Sequence, residues 1–350
     1  MEPTPSPGAT DPHDGAAVHD DAPVHVVGRI GVDFRSEARR DGFRRQLGEA
    51  DPDGPPPDPG DVRQLYDHLV RNPWAASRLT WTLSLDSTPV YALEAEAAVA
   101  MDWSGPLPGP EPGGSEEERL ALLRRIAAAP PVHPVHRALR DTLLGQSLPA
   151  GDPGRIARLT VPGRLTGRSA RLFSGEVVPV VRVSSVGLAR WTETPLIAAA
   201  AAAVHAAERQ RHHDHDHDLD HDRVTEHLRV LLDRVYRHLR NPGRSAAERA
   251  LNHAVTESFL SGGLLGEGPL SAALVPGGPE EGPAPPRLYT LEAITVARTP
   301  RCRAGSDCQD VMIRFSDPDG ERRAPVTYVH TIDVSDELPV SLAPVHRFLG

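Results

Sequence analysis

The feature that most limits how this chain can fold is the alternation near its C-terminus. In VMIRFSDPDGERRAPVTYVHTIDV, Val311, Ile313 and Phe315 alternate with more polar neighbours. Val326, Tyr328, Ile332 and Val334 do the same beyond Asp317-Pro318-Asp319-Gly320. A period of two on both sides of a turn predicts a β-hairpin, each strand offering one face to a core. The same pattern appears upstream. Leu79, Trp81, Leu83 and Leu85 alternate with Thr80, Thr82 and Ser84, and Asp86-Ser87-Thr88-Pro89 turns that half-buried strand into a partner at Val90 to Leu93.

Around these hairpins, Val24 to Phe34 reads as a strand broken at Gly28 and Gly31, followed by an arginine-rich helix over 36–47. Asp61 with Gln64 marks a helix start, with Val62, Leu65, Leu69 and Val70 on one face. Ser115 and Glu118 form a capping box for a helix carrying Leu120, Leu123 and Ala127. Residues 156–166 and 176–186 read as strands, and Pro179 marks the second as an edge or a bulge.

A helical stretch follows: an alanine-rich segment from Leu196 to Arg211, then Val224, Leu228, Leu231, Val235 and Leu239 on one face, ended by Asn241-Pro242-Gly243. Ser245 and Glu248 cap the next helix, with Leu251, Val255 and Phe259 inward and Gly262-Gly263 as the stop. Strands are expected near 287–298, 310–316 and 325–334. Without a regular βαβα alternation or a repeat, the order predicts an α+β fold with mainly antiparallel sheet, hairpins, a central helical segment and a C-terminal three-strand meander. Residues 1–23 read as an acidic, proline-rich disordered tail. The folded part, 24–350, is expected to form two lobes, 24–195 and 196–350, with a His/Asp-rich linker at 211–222.

Composition removes several classes of activity. All 38 basic residues are arginine. Without lysine there is neither a P-loop nor a Schiff-base nucleophile. A net charge of −10 opposes general nucleic-acid binding, which depends on phosphate neutralisation. Two cysteines imply no disulfide framework and fit a reducing compartment. The N-terminus lacks the apolar stretch of a signal peptide, and the longest apolar run, Leu196 to Val204, is far short of a membrane span. A cytoplasmic protein is expected.

The candidate chemistry is diffuse. His212, His213, His215, His217 and His221, in RHHDHDHDLDHD, are residue types that bind zinc or nickel, but the run reads first as a solvated linker with adventitious metal binding. Cys302 and Cys308 have a C-x5-C spacing, wider than a zinc knuckle. They read as loop thiols able to form an occasional disulfide, with a zinc site completed by distant histidines as the alternative. His133 and His136 flank Pro134 and read as a surface loop. His330 shares a face with Tyr328, Ile332 and Val334, which suits a hydrogen-bonded core residue or a pocket wall. Arg155, Arg158, Arg164, Arg168 and Arg171 form an acid-free stripe that suits either a solvated face or a dock for an acidic peptide. No G-x-S-x-G elbow and no H-E-x-x-H pair occurs.

Four blocks together, GRIGVDF (28–34), RLTWTLSLDSTPVYAL (78–93), AERALNHAV (247–255) and YVHTIDVSDELPV (328–340), resemble the C-terminal domain of the cyanobactin-maturation proteins PatG and PatA. The resemblance covers roughly 24–350. In those proteins the domain follows a subtilisin-like protease, whose motifs are missing here. The resemblance carries over no catalytic residues. It implies an accessory role in making ribosomally synthesised, modified peptides, with a precursor peptide or a modifying enzyme as partner. Two alternatives stand beside it: a metal-dependent peptide-modifying enzyme or metal-binding protein, and a homodimeric scaffold. No resident cofactor is expected.

Overall fold

The structure, a computed structural model, describes residues 21–50, 55–95, 115–117, 120, 132–211, 220–261, 263–270, 288–300, 302–318 and 324–350. The calls on 1–20, on most of the helix expected from Ser115, on His212, His213, His215 and His217, and on the Asp319-Gly320 turn lie outside them.

The first half is a closed barrel. Strand β1 (Pro23–Asp33) pairs with β2 (Thr80–Leu85), β2 with β3 (Thr88–Glu94), β3 with β5 (Val177–Val183), β5 with β4 (Ile156–Arg171), and β4 returns to β1. All contacts in the ring are antiparallel except β3–β5. Closure removes the free edges that an open sheet would expose, and the strand order is that of an OB-type barrel. A short β6 (Ala189–Thr192) adds to the start of β4.

Gly28, expected to break the first strand, instead lets one continuous strand change partners. Residues 23–28 pair with β4 and residues 29–33 with β2. A Cβ at Gly28 would lie 2.6 Å from Leu83 Cδ2 and 2.8 Å from Ser84 O, so only glycine lets the strands approach this closely. Pro179 fits the edge-or-bulge reading: it faces Ser169 in β4 at the register shift between the two strands, and the pairing of β5 with β3 begins only at Val180.

Among the described residues, three α-helices of ten or more residues pack on this barrel. Helix α1 (Glu37–Ala50) buries Phe43 and Leu47, and α2 (Val62–Arg71) starts where Asp61 accepts from the N–H groups of Arg63 and Gln64. Helix α3 (Pro134–Ser147) corrects the surface-loop reading of His133 and His136. Pro134 occupies the first turn, where it has no N–H to waste, and His133 caps it by accepting from Val135 N–H. His136 is fully buried, edge-on to Trp81 with centroids 5.9 Å apart. Thr80 and Thr82 are buried too, so β2 is covered on both faces over its first half.

The second half packs helices α4 (Glu193–Arg211), α5 (His221–His238), α6 (Ala246–Thr256) and α7 (Leu264–Glu267) on a C-terminal sheet. Ser245 and Glu248 make the expected capping box. Helix α6 widens into a π-helical turn, Glu257–Ser261. Strands β7 (Thr290–Arg298), β8 (Cys308–Ser316) and β9 (Val326–Asp333) form the predicted meander, with Phe315 opposite Val326 and Val311 opposite His330. Two further strands, β10 (Val340–Ser341) and β11 (His346–Leu349), extend the far side of β9 and make the sheet five-stranded.

Alternation along β1 serves two cores. Val24, Val26 and Ile30 join the barrel core, whereas Val27 joins the core of the helices and C-terminal sheet.

Candidate functional site

Two places concentrate polar chemistry. The first is the joint where β1 meets α6 and β9. The Asn241-Pro242-Gly243 turn sits directly against the barrel: Pro242 O accepts from Tyr91 Oη–H at 2.7 Å, and Gly243 O accepts from His25 N–H at 3.0 Å. Asn252 Nδ2 donates to His25 O at 2.7 Å and also pairs with the amide of Asn241. His25 is buried against His253, and His253 Nε2 lies 3.5 Å from Glu257 Oε2.

At the π-helical turn, Ser258 Oγ lies 3.0 Å from His330 Nε2. A hydroxyl beside an imidazole has the elements of a nucleophile and base. Here Ser258 also donates to Ala254 O, and the two side chains are only 3% and 5% exposed. The pair therefore serves as a hydrogen-bonded core contact. Burial lowers the pKa values of His253 and His330, with Glu257 opposing, so both imidazoles are neutral at neutral pH.

The second place is the barrel mouth. Here the β1–β2 connection, which carries α1 and α2, faces the β4–β5 hairpin across a groove of about 360 Å³. Val32, Phe34, Val62 and Leu65 give it an apolar wall, Phe173 closes one side, and Arg40 lines it as a cation. Asp33 holds the hairpin in place. Its two carboxylate oxygens each accept from Phe173 N–H at 3.1 Å, and Oδ1 also accepts from Arg35 N–H at 2.7 Å.

The arginine stripe is not one surface. Arg164 binds Glu337 at 2.8 Å and Asp21, Arg168 pairs with Glu94, and Arg155 donates to Leu148 O. The Arg158 guanidinium lies over the Tyr236 ring at 4.6 Å. Arg171 is exposed at the end of β4. Cys302 and Cys308 are joined as a disulfide, which leaves neither sulfur as a thiolate ligand in this state. His221 opens α5 and stacks on His205, centroids 5.5 Å apart. Among the described residues no group of three or more histidine, cysteine or acidic side chains is placed to hold a metal, and no helix is long and apolar enough to cross a membrane.

Sequence reasoning missed the groove and the joint's His25–His253 contact. Phe173, in the short hairpin LFSGE, was the available signal for the groove: an aromatic at a turn with no alternating partner.

Comparison with known proteins agrees with this architecture. The family described as PatG Domain matches residues 23–133, and the family described as PatG C-terminal matches residues 218–348. A solved structure titled "PatG Domain of Unknown Function" superposes with a TM-score of 0.67 at 31% identity, covering 94% of this chain and 99% of that one. The chain belongs to the PatG domain family. All four sequence blocks read as PatG-like fall inside the two matched segments. No curated protein matches the chain. The barrel-mouth groove draws on Val32, Phe34, Val62 and Leu65 from the first PatG match and on Phe173 from the stretch between the two matches.

Proposed function

We infer that this PatG-family chain is a non-catalytic accessory module in cyanobactin-type peptide biosynthesis, and that it binds a precursor peptide of the pathway. The observation that carries the reading is the apolar groove at the barrel mouth, bounded by two connections and lined by an exposed aromatic. OB-type barrels use the loops around this mouth for ligands, an analogy of fold that supports the location and not the ligand. The buried state of Ser258 and His330 agrees with a binding role over a hydrolytic one.

Calorimetric titration with the precursor peptide of the same pathway tests this. Wild-type protein is expected to bind it, and Phe173→Ala to bind it at least about tenfold more weakly, the scale of a lost aromatic anchor. If the groove is correctly formed and the peptide gives no heat and no shift in thermal midpoint, the reading is wrong.

A further inference from the structure

We propose that His205 and His221 form a two-imidazole site for a divalent d-block cation of the zinc, nickel and copper kind, which clasps helix α4 to helix α5. The site stands apart from the groove and does not depend on the peptide-binding reading. Its first support is distance. His205 Nε2 and His221 Nδ1 lie 3.4 Å apart, across 16 residues of sequence. Two imidazole nitrogens on one tetrahedral zinc, each about 2.0–2.1 Å from it, stand about 3.3–3.4 Å from each other. The rings are close to parallel, 21° apart, and as they stand the two nitrogens face each other as in an N–H···N hydrogen bond, where one keeps its proton. A turn of each ring about χ2 makes the two lone pairs converge, and both nitrogens then serve as ligands. His221 is exposed and His205 half-buried, so solvent gives the rings room for that turn.

The second support is the way the pair is held. His205 follows Val204 on α4, and His221 lies three residues before Val224 on α5. Both valines are fully buried in the same core. The spacing of the two imidazoles is therefore set by the packing of one helix on the other and not by the connection between them. Ligands placed in advance lose little freedom when a cation joins them. The start of α5 would by itself oppose a cation, since a helix N-terminus carries partial positive charge. Two carboxylates offset this there: Asp220 is the N-cap and Asp222 lies in the first turn.

The donor set names the class of cation. Neutral imidazole suits zinc, nickel and copper, whereas magnesium and calcium take oxygen ligands. Two protein ligands leave the remaining positions to water, so this is a clasp between helices and not a closed structural site. A cation held only by the packed helix pair stabilises the folded chain by mass action. His212, His213, His215 and His217, in the sequence between the two helices, are the rival chelators that an experiment must separate from the pair.

Calorimetry and thermal melts of the untagged full chain with zinc, nickel and magnesium chlorides test the proposal. The rival is removed first, in a variant with His212, His213, His215 and His217 all changed to serine. That variant should still bind one zinc or nickel ion per chain, and its thermal midpoint should rise by a few degrees at saturating cation. Magnesium should leave the midpoint where it was. Adding His205→Gln or His221→Gln should weaken zinc binding at least about tenfold, as even the loss of a ligand's supporting hydrogen bond does, and should remove the rise. Midpoints without added metal report whether each variant folds; His221, exposed at a helix start, can change without loss of core packing. No zinc binding by the serine variant would assign any metal to the run alone and overturn the proposal. Equal zinc binding after His205→Gln and after His221→Gln as before would overturn it too, as would a magnesium effect equal to that of zinc.

Discussion

The rings of His25 and His253 meet edge-to-face with centroids 5.5 Å apart, and neither nitrogen of His25 has a hydrogen-bond partner among the described residues. Burial, reinforced by His253 and Arg249, drives the His25 pKa from 6.5 down to about 3. The folded protein therefore binds fewer protons than the unfolded chain, so this stability is complete above about 6.5 and is lost as pH falls toward the folded value. For His25 alone the loss between pH 7.5 and 5 is about 2 kcal/mol. His136, pushed down to about 4 chiefly by burial, acts in the same direction. The urea midpoint should drop between pH 7.5 and 5, and His25→Leu should flatten that slope. A midpoint equal at both pH values would rule out this account.

The turn at Gly243 should tolerate no side chain. At φ +64, a Cβ there would lie 2.0 Å from His25 O, whereas at Gly151, φ +90, nothing lies within 4 Å. Gly151→Ala should cost about 1–2 kcal/mol for its backbone conformation alone. Gly243→Ala should cost at least about 3 kcal/mol, because the joint must also move. Paired denaturant melts check the difference, and equal losses would show that the joint yields easily.

Arg164 and Arg249 both tie the corner after β9 to the rest of the molecule, but at different depths. Arg164 reaches Glu337 from a part-exposed position, and Arg164→Ala should change stability by about 1 kcal/mol or less. Arg249 is 8% exposed and donates to Val334 O and Arg244 O. Arg249→Ala should cost about 2–4 kcal/mol, since it leaves the buried Val334 carbonyl without this donor and removes a buried side chain. Chemical denaturation of the two variants separates them. The order reversed would place the strength of the corner on its surface.

The Cys302–Cys308 disulfide closes a loop across a sequence separation of 6 in the connection to β8. A loop of that length constrains the unfolded chain by about 2 kcal/mol. Thermal melts with and without reductant should differ by a few degrees, with Cys302→Ser matching the reduced protein. No difference would mean that the loop gains nothing from the bond.

What could be read in advance was local. The β8–β9 hairpin and the β2–β3 hairpin followed from alternation because both partners lie within a few residues of one turn. Barrel closure did not, because it depends on pairs such as His25 with Pro162 and Ala92 with Val180, which no local period encodes. Gly28 looked like a break because a sequence shows a missing side chain and not the Leu83 that fills the space. Pro134 hid a helix because a proline that ends one element also suits the first turn of another. The partner of Arg164 was hidden for the same reason as the barrel: it finds its acid in Glu337, 173 residues away.

Strand β1 leaves little room for neutral drift. Val26 faces one core and Val27 the other, while the backbone between them hydrogen-bonds into the ring. A substitution at either position is felt on one side by side-chain volume and on the other through the shared strand. Residues 24–28 should therefore be the stretch of this chain with the lowest mutational tolerance. A saturation library scored for folding alone, with no ligand present, would reveal it as a narrow trough. Any attempt to express the halves separately must also decide which of them keeps this strand.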